Sequence, residues 1–258
     1  MTLAEKNAVV YGAGGAIGGA MAVAFAGAGA RVHLVGRTRA SLERTAKEVE
    51  SAGGQAEVAE LDVLDESAVE EHARSVGVLD VSFNLVSGGD VQGIPLIDMT
   101  TADFTRPIVT RVTANYITAR AAARRMVEQG SGVILALDSG SANGSPMMGG
   151  TGPADAATDA LVRNLAAEIG PAGVRVVGLW TAGLPETLSP EKIAAHSGQP
   201  PMDDAAFRGL LQHLDGMRMT KRSPTLAQLA ATAVFLASDQ AGAITGTFVN
   251  VTSGTFPS

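Results

Sequence analysis

Apolar residues along the chain fall into two kinds of segment. Short runs of strand length alternate with longer segments in which apolar residues recur at helical spacing. The strand-like runs read NAVVYG, RVHLVG, VLDVSFNLV, GVILAL, RVVGLW and TGTFVNV. This alternation predicts repeated β–α–β crossovers, and therefore one α/β domain over residues 1–258 built on a doubly wound parallel sheet with helices on both faces.

One segment, at about residues 183–219, departs from the alternation. It mixes Pro, Gly and charged residues between the penultimate strand and the closing helix. Long connections of this kind in compact domains often carry function. We expect a substrate-covering insertion with short helices there, and no linker composition elsewhere divides the chain.

Composition and charge disfavour several classes of function. The net charge of -7 argues against binding to nucleic acid or to anionic membranes. With no cysteine and four scattered histidines, we predict no metal site. The sequence has no apolar run of membrane-spanning length and no signal-peptide pattern at its start, which indicates a cytoplasmic protein. Arg120, Arg124 and Arg125 share one predicted helix and are interpreted as a solvated or subunit-interface face.

A glycine-rich turn, YGAGGAIGG, follows the first strand. Small residues let a backbone approach a pyrophosphate, and a helix N-terminus offers free N–H donors, although a tight turn without a ligand has the same signature. The second strand favours a ligand. It ends in GRT, without the acidic residue that usually holds an NAD ribose and with an arginine that can pair with a 2′-phosphate. We predict an NADP(H) site formed by Gly12, Gly14, Gly15, Ile17, Gly18, Arg37 and Thr38.

Taken in order, the motifs resemble those of the short-chain dehydrogenase/reductase family over essentially the whole chain. GAGGAIG is similar to the family's TGxxxGIG turn, LDV at 61–63 to its adenine-contacting segment, and DVSFNLVSG to its strand ending in NNAG; FLASD and ITG follow in family order. The resemblance implies a Rossmann-type fold and a homotetramer or homodimer built on the fourth and fifth helices and the closing strand. It adds four cofactor-binding residues: Asp62, Val63, Asn84 and Val86.

The resemblance also locates the catalytic positions. Family enzymes use a Ser that polarises the carbonyl, a Tyr that gives the proton, a Lys that lowers the tyrosine's pKa, and an Asn that completes a relay. GVILALDSGSA aligns Ser139 with the serine, and ITARAAARRM aligns Arg111 with the asparagine. Counting back from LAAE puts Thr151 at the tyrosine position and Asp155 at the lysine position. Counting forward from Ser139 puts Gly152 and Ala156 there instead. Neither register supplies a tyrosine or a lysine.

Several residues could replace the missing acid. General acid catalysis contributes about 10²–10⁴-fold, so its loss needs compensation. Asp155, Asp138 or Arg111 could serve as the acid or stabilise charge in the pocket. Alternatively, the substrate is an activated electrophile such as an iminium ion, or it supplies the proton from its own hydroxyl group. We predict that Ser139, Asp155 and Arg111 are the catalytic residues.

Each of these residues also has a structural interpretation. Asp155 could complement the dipole in the first turn of a helix, and Arg111 could be an ion-pair partner on the fourth helix. Ser139 could cap the turn after its strand. Tyr116, on the predicted fourth helix, is interpreted as a packing residue rather than a transposed acid.

The sequence therefore favours an NADPH-dependent reductase with a non-standard active site. The expected reaction is hydride transfer to an activated C=N, C=C or carbonyl group of a small apolar molecule. Two alternatives stay open, a catalytically silent nucleotide-binding or scaffold protein and a non-redox cyclase on the same fold. The expected partner is a small-molecule substrate.

Overall fold

The computed structural model describes residues 2–197 and 200–256. Within these residues seven strands form one sheet, in the order β3-β2-β1-β4-β5-β6-β7, and every neighbouring pair is parallel. This confirms the predicted Rossmann-type sheet. The strands are β1 (Asn7–Tyr11), β2 (Arg31–Gly36), β3 (Gln55–Glu60), β4 (Val81–Asn84), β5 (Gly132–Asp138), β6 (Val174–Trp180) and β7 (Thr247–Asn250).

Helices cover both faces of the sheet, and each face has its own apolar core. One core holds the buried sides of α1 (Ala16–Gly27), α2 (Arg39–Ser51) and α8 (Leu226–Ala237). The other holds those of α3 (Glu66–Ser75), α4 (Thr101–Gln129) and α5 (Thr151–Ile169). Local sequence signals set several helix starts. The side chains of Asp65, Thr100 and Thr225 each accept a hydrogen bond from a backbone N–H in the first turn of α3, α4 and α8, respectively.

The segment predicted as an insertion contains α6 (Pro190–Ser197) and α7 (Asp204–Met217). Residues 198 and 199 of that segment lie outside the described residues. Arg218, which is 1% exposed, donates from its guanidinium to the carbonyl oxygens of Ala182 (2.7 Å) and Gly183 (3.1 Å). The end of α7 is thereby held against the chain that leaves β6. That the segment covers a substrate stays a prediction.

No described helix has both the length and the apolar composition that a membrane span requires. The described part of the chain also holds no group of three or more His, Asp or Glu side chains placed to hold a metal ion.

The strand order brings the residues that follow four neighbouring strands together at the carboxyl ends of those strands. β1 lies between β2 and β4, and β4, β5 and β6 follow as neighbours. Ligands of open parallel sheets bind outside the carboxyl ends of the strands, at the point where the strand order reverses. The residues after Tyr11, Asn84, Asp138 and Trp180 therefore meet at the place where a ligand is expected.

Candidate active site

The turn between β1 and α1 brings two stretches of backbone into close contact. Gly12 has φ +79°, a left-handed conformation that favours glycine. A Cβ atom on Gly18 would lie 2.2 Å from the carbonyl oxygen of Gly12. Gly15 caps α1 without any side-chain hydrogen bond to the first turn, so backbone N–H groups there are available to a phosphate.

Gly18→Ala is expected to lower both stability and dinucleotide affinity. The added methyl group meets backbone atoms that cannot rotate away, and overpacking of this kind typically destabilises by about 1–3 kcal/mol. Urea unfolding and a titration with NADPH would measure the two effects. Gly27→Ala is the matched control on α1, because a Cβ there meets nothing within 4 Å. Alanine should stabilise the helix at that position, so equal losses in the two variants would contradict the packing argument.

A pocket of about 490 Å³ opens beside this turn. Gly12, Gly14 and Gly15 line it, and the two residues that follow β2, Arg37 and Thr38, line it as well. Asp62, Val63 and Val86 complete the predicted set that faces the pocket, and Arg106 of α4 also lines it. Gly18 does not line the pocket but packs against the backbone of Gly12, and Ile17 lines a second, neighbouring pocket. The volume, the available N–H groups and the close backbone approach together fit a dinucleotide.

Asn84, predicted to bind the cofactor, makes hydrogen bonds within the protein. Its side-chain nitrogen donates to Asn115 Oδ1 at 2.6 Å, and its Oδ1 accepts from the N–H of Val86 at 3.2 Å. Asn115 donates in turn to Thr158 Oγ1 on α5 at 3.2 Å. Asn84 thus ties the end of β4 to α4 and α5, and contact with a cofactor stays a prediction.

A smaller pocket of about 230 Å³ lies next to the first. The two pockets share Leu85, Val86 and Ser87 in their walls. The smaller pocket has an apolar part formed by side chains of Ile17, Leu85, Val86 and Leu137. Its polar part comprises Asn84, Ser87, Asp90, Arg111, Asn115, Asp138, Ser139 and Thr181. Two predicted catalytic residues, Ser139 and Arg111, therefore face one small pocket.

Asp155, the third predicted catalytic residue, lies behind this pocket with 0% of its surface exposed. Its Oδ2 accepts hydrogen bonds from Ser139 Oγ (2.6 Å), from the N–H of Ser139 (3.2 Å) and from the N–H of Ser141 (3.0 Å). Its Oδ1 accepts from Arg111 Nη1 at 2.6 Å. Burial raises the pKa of Asp155, and the hydrogen bond from Ser139 and the charge of Arg111 oppose that rise. The carboxylate holds Ser139 and Arg111 in place from inside the fold.

The interpretation of Asp155 as a first-turn residue is wrong. α5 begins at Thr151, so Asp155 is its fifth residue and lies beyond the first turn. The helix can start before Pro153 because a proline in the first turn gives up an N–H that has no intrahelical partner.

Arg111 lies between two carboxylates. Opposite Asp155, its Nη2 donates to both oxygens of Asp90, at 2.7 and 2.8 Å. Thr151 Oγ1 donates to Asp90 Oδ1 at 2.8 Å. Asp90 was not among the residues predicted from the sequence, because it lies in a loop without a motif. Through these hydrogen bonds Asp90 holds its loop against both α4 and α5 at the wall of the pocket.

Asp138 is a second buried acid at the end of β5. Its Oδ1 accepts from the N–H of Gly140 at 2.9 Å, and its Oδ2 is buried without a donor among the described residues. Burial, followed by the negative charge of Asp155, raises the pKa of Asp138 to about 9. Asp138 is therefore a neutral carboxylic acid at pH 7.

Neither tyrosine contributes to the small pocket. Tyr11 is fully buried in the core. Tyr116 is 49% exposed, so it lies outside the core, and it packs against Arg120, whose guanidinium carbon lies 5.2 Å from its ring centroid. The neighbouring arginines Arg120, Arg124 and Arg125 form ion pairs with Glu66, Glu70 and Glu128, respectively.

Fold and site together define an α/β protein with a dinucleotide-sized pocket beside a small polar pocket. The family model described as enoyl-(acyl carrier protein) reductase matches residues 12–255. The chain belongs to this family and so to the short-chain dehydrogenases/reductases, which confirms the family resemblance of its motifs.

Named relatives cover nearly the whole chain. L-Rhamnose 1-dehydrogenase (NAD(P)(+)) of Azotobacter vinelandii is 33% identical, over 99% of this chain and 98% of its own. The 7alpha-hydroxysteroid dehydrogenase of Escherichia coli K12 is 29% identical, over 98% and 95%. A solved 7alpha-hydroxysteroid dehydrogenase in complex with NADH and 7-oxo glycochenodeoxycholic acid superposes with a TM-score of 0.82 at 27% identity, covering 98% of this chain and 94% of the other.

Proposed function

We propose that this protein is an NADP(H)-dependent reductase that transfers hydride to an activated C=N, C=C or carbonyl group of a small apolar molecule. The observation that carries the proposal is the junction of the two pockets. A dinucleotide-sized pocket lined in part by Arg37 adjoins a 230 Å³ pocket lined in part by Ser139 and Arg111. A nicotinamide cofactor bound along the first pocket would supply the hydride for an acceptor in the second.

The active site is non-standard in this proposal. In this proposal Thr151 and Asp155, or Gly152 and Ala156 in the alternative register, stand where the family has its tyrosine and lysine. Asp155 positions the hydroxyl group of Ser139, and Arg111 joins the loop of Asp90 to the helix of Asp155. Apolar side chains, among them Leu137, limit the access of water to the reacting atoms.

NADPH oxidation tests the proposal directly. Binding is first followed by the fluorescence of NADPH, and its oxidation is then measured with panels of imines, enones and ketones. We expect turnover with at least one class. Tight binding without turnover on every class would contradict the proposal and favour a catalytically silent nucleotide-binding protein.

Arg37→Ala is expected to weaken NADPH binding by about ten- to a hundredfold, because each hydrogen bond to a charged group contributes roughly 1.5–3 kcal/mol. NADH binding should be unchanged, since NADH lacks the 2′-phosphate. Arg39→Ala is the control. Arg39 is exposed nearby but pairs with Glu43 at 3.0 Å and does not line the pocket. Equal losses for NADPH and NADH in Arg37→Ala would contradict the assignment.

We also propose a homodimer or homotetramer assembled through α4 and α5. A groove of about 670 Å³ lies between these helices, with Tyr116 and Val127 in its wall, and both side chains are at least 40% exposed. Sedimentation equilibrium would determine the oligomeric state, and a monomer at micromolar concentration would contradict this assembly.

A further inference from the structure

The hydroxyl group of Ser139 donates its hydrogen to Asp155. Asp155 Oδ2 already accepts two backbone N–H groups, so this oxygen has no room for a proton of its own. The hydrogen in the 2.6 Å contact between Ser139 Oγ and Asp155 Oδ2 therefore belongs to the serine. The hydrogen in the 2.6 Å contact between Ser139 Oγ and Ser141 Oγ then belongs to Ser141.

This arrangement fixes the polarity of Ser139 toward the pocket. A serine hydroxyl has one hydrogen and two lone pairs. The hydrogen is directed to Asp155 and one lone pair accepts from Ser141, which leaves one lone pair for a ligand. Ser139 therefore offers the pocket a hydrogen-bond acceptor, and a donor group on the ligand would be its complement.

The charges around the pocket also favour a ligand that donates hydrogen bonds, because they favour a cation. Asp90 and Asp155 contribute two negative charges against the single positive charge of Arg111. Among the described side chains that line the pocket, the remaining ionisable group is Asp138, which is neutral at pH 7 for the reason given above. The network has a net charge of -1 in a partly enclosed space, where such a charge attracts cations more strongly than in water.

We infer that the substrate carries a protonated C=N group, whose N–H donates to Ser139 and whose positive charge is balanced by the Asp90–Arg111–Asp155 network. This inference depends on the proposed function, because it assigns the substrate class of that same site. Asp90 is the residue that sets the charge preference at the wall of the pocket.

The chemistry of such a substrate suits this site. Hydride addition to the carbon of a protonated C=N group forms a C–H bond and moves the π electron pair to nitrogen. The product is a neutral amine, so the step needs no separate proton donor. A ketone would need a proton on its oxygen, and Ser139 would present a lone pair to that oxygen instead of a hydrogen.

The charge preference is tested without any cofactor by two probes of similar shape, cyclohexylammonium and cyclohexanol. Each is titrated into the full chain at pH 7 by calorimetry or by chemical-shift perturbation. We expect the ammonium ion to bind about ten- to a hundredfold more tightly, the range for a hydrogen bond to a charged group, and the difference to shrink as salt is added.

Asp90→Asn should remove most of this preference while leaving cyclohexanol binding within about twofold, because the amide keeps an acceptor oxygen but loses the charge. Asp90→Glu, which retains the charge, should keep the preference even if the loop shifts. Asp98→Asn makes the same charge change at an exposed position of the same loop and should behave like wild type. Equal binding of the two probes, or equal effects of Asp90→Asn and Asp98→Asn, would overturn the inference.

Rates of NADPH oxidation with two different substrates test this inference separately from the proposed function. NADPH oxidation is compared for methylpyrroline, a cyclic imine that is protonated near neutral pH, and cyclopentanone. We expect the imine to be reduced at least about tenfold faster, and equal or faster oxidation with the ketone would overturn the inference but not the proposed reductase. If NADPH neither binds nor is oxidised while the ammonium preference persists, the proposed function fails and the charge assignment stands.

Discussion

Replacing Asp155 with alanine is expected to lower the free energy of unfolding by about 3–5 kcal/mol, the range for breaking a buried ion pair from one side. The carboxylate is fully buried and accepts four hydrogen bonds. Its loss leaves two backbone N–H groups without an acceptor and Arg111 with a single carboxylate partner. Urea unfolding monitored by circular dichroism measures the change.

The size of this loss distinguishes two roles for Asp155. A carboxylate that only complements a helix dipole contributes typically 0.3–1 kcal/mol, several times less than the network predicts. Glu43→Gln is the control, because it breaks an exposed ion pair with Arg39 and should leave the unfolding midpoint almost unchanged. A loss below about 1 kcal/mol in Asp155→Ala would mean that the network is not a structural centre of the site.

Asp155→Ala should also reduce kcat for NADPH oxidation more than it changes the affinity for NADPH. Without the carboxylate, the hydroxyl group of Ser139 can rotate and Arg111 can move toward Asp90. Neither change reaches the pocket at Arg37, so the NADPH titration serves as an internal control. Equal losses in kcat and in NADPH affinity would indicate general unfolding instead of a local effect.

The sequence predicted the sheet well because its buried strands are short apolar runs between glycine-rich turns. β3 (Gln55–Glu60) was missed, and its position explains why. It is an edge strand whose residues are intermediate or exposed, so the sequence QAEVAE lacks the apolar run that marks the inner strands.

The candidate site was only partly predictable, for a reason that concerns distance along the chain. Motifs locate residues such as Gly12 and Ser139, which act at fixed offsets from a strand end. Asp90 meets Arg111 across 21 positions and Thr151 across 61, and no local pattern marks such pairs. The network also determines the polarity of Ser139, which depends on hydrogen-bond partners and cannot be derived from the spacing of a motif.

Asp138 allows a second large effect to be predicted, this time in the dependence of stability on pH. Its carboxyl group has an ordinary pKa of 3.8, and burial raises the folded-state pKa to about 9. Between these two values the folded state binds one more proton at this group than the unfolded state does. Its contribution to stability is therefore complete below the ordinary pKa and is lost as pH rises, by about 1.4 kcal/mol per pH unit.

Asp138→Asn is expected to remove this loss of stability with rising pH, so the variant should be more stable than wild type at pH 8. Asparagine keeps the oxygen that accepts from the N–H of Gly140 and replaces the buried Oδ2, which has no hydrogen-bond partner among the described residues, with an uncharged amide group. Urea unfolding at pH 6, 7 and 8, all below the folded-state pKa, should show the difference between variant and wild type growing by about 1.4 kcal/mol per pH unit. Asp98→Asn, exposed on a loop, should instead run parallel to wild type. Parallel curves for Asp138→Asn would mean that Asp138 is ionised in the folded protein, and the pocket would then carry a second excess negative charge.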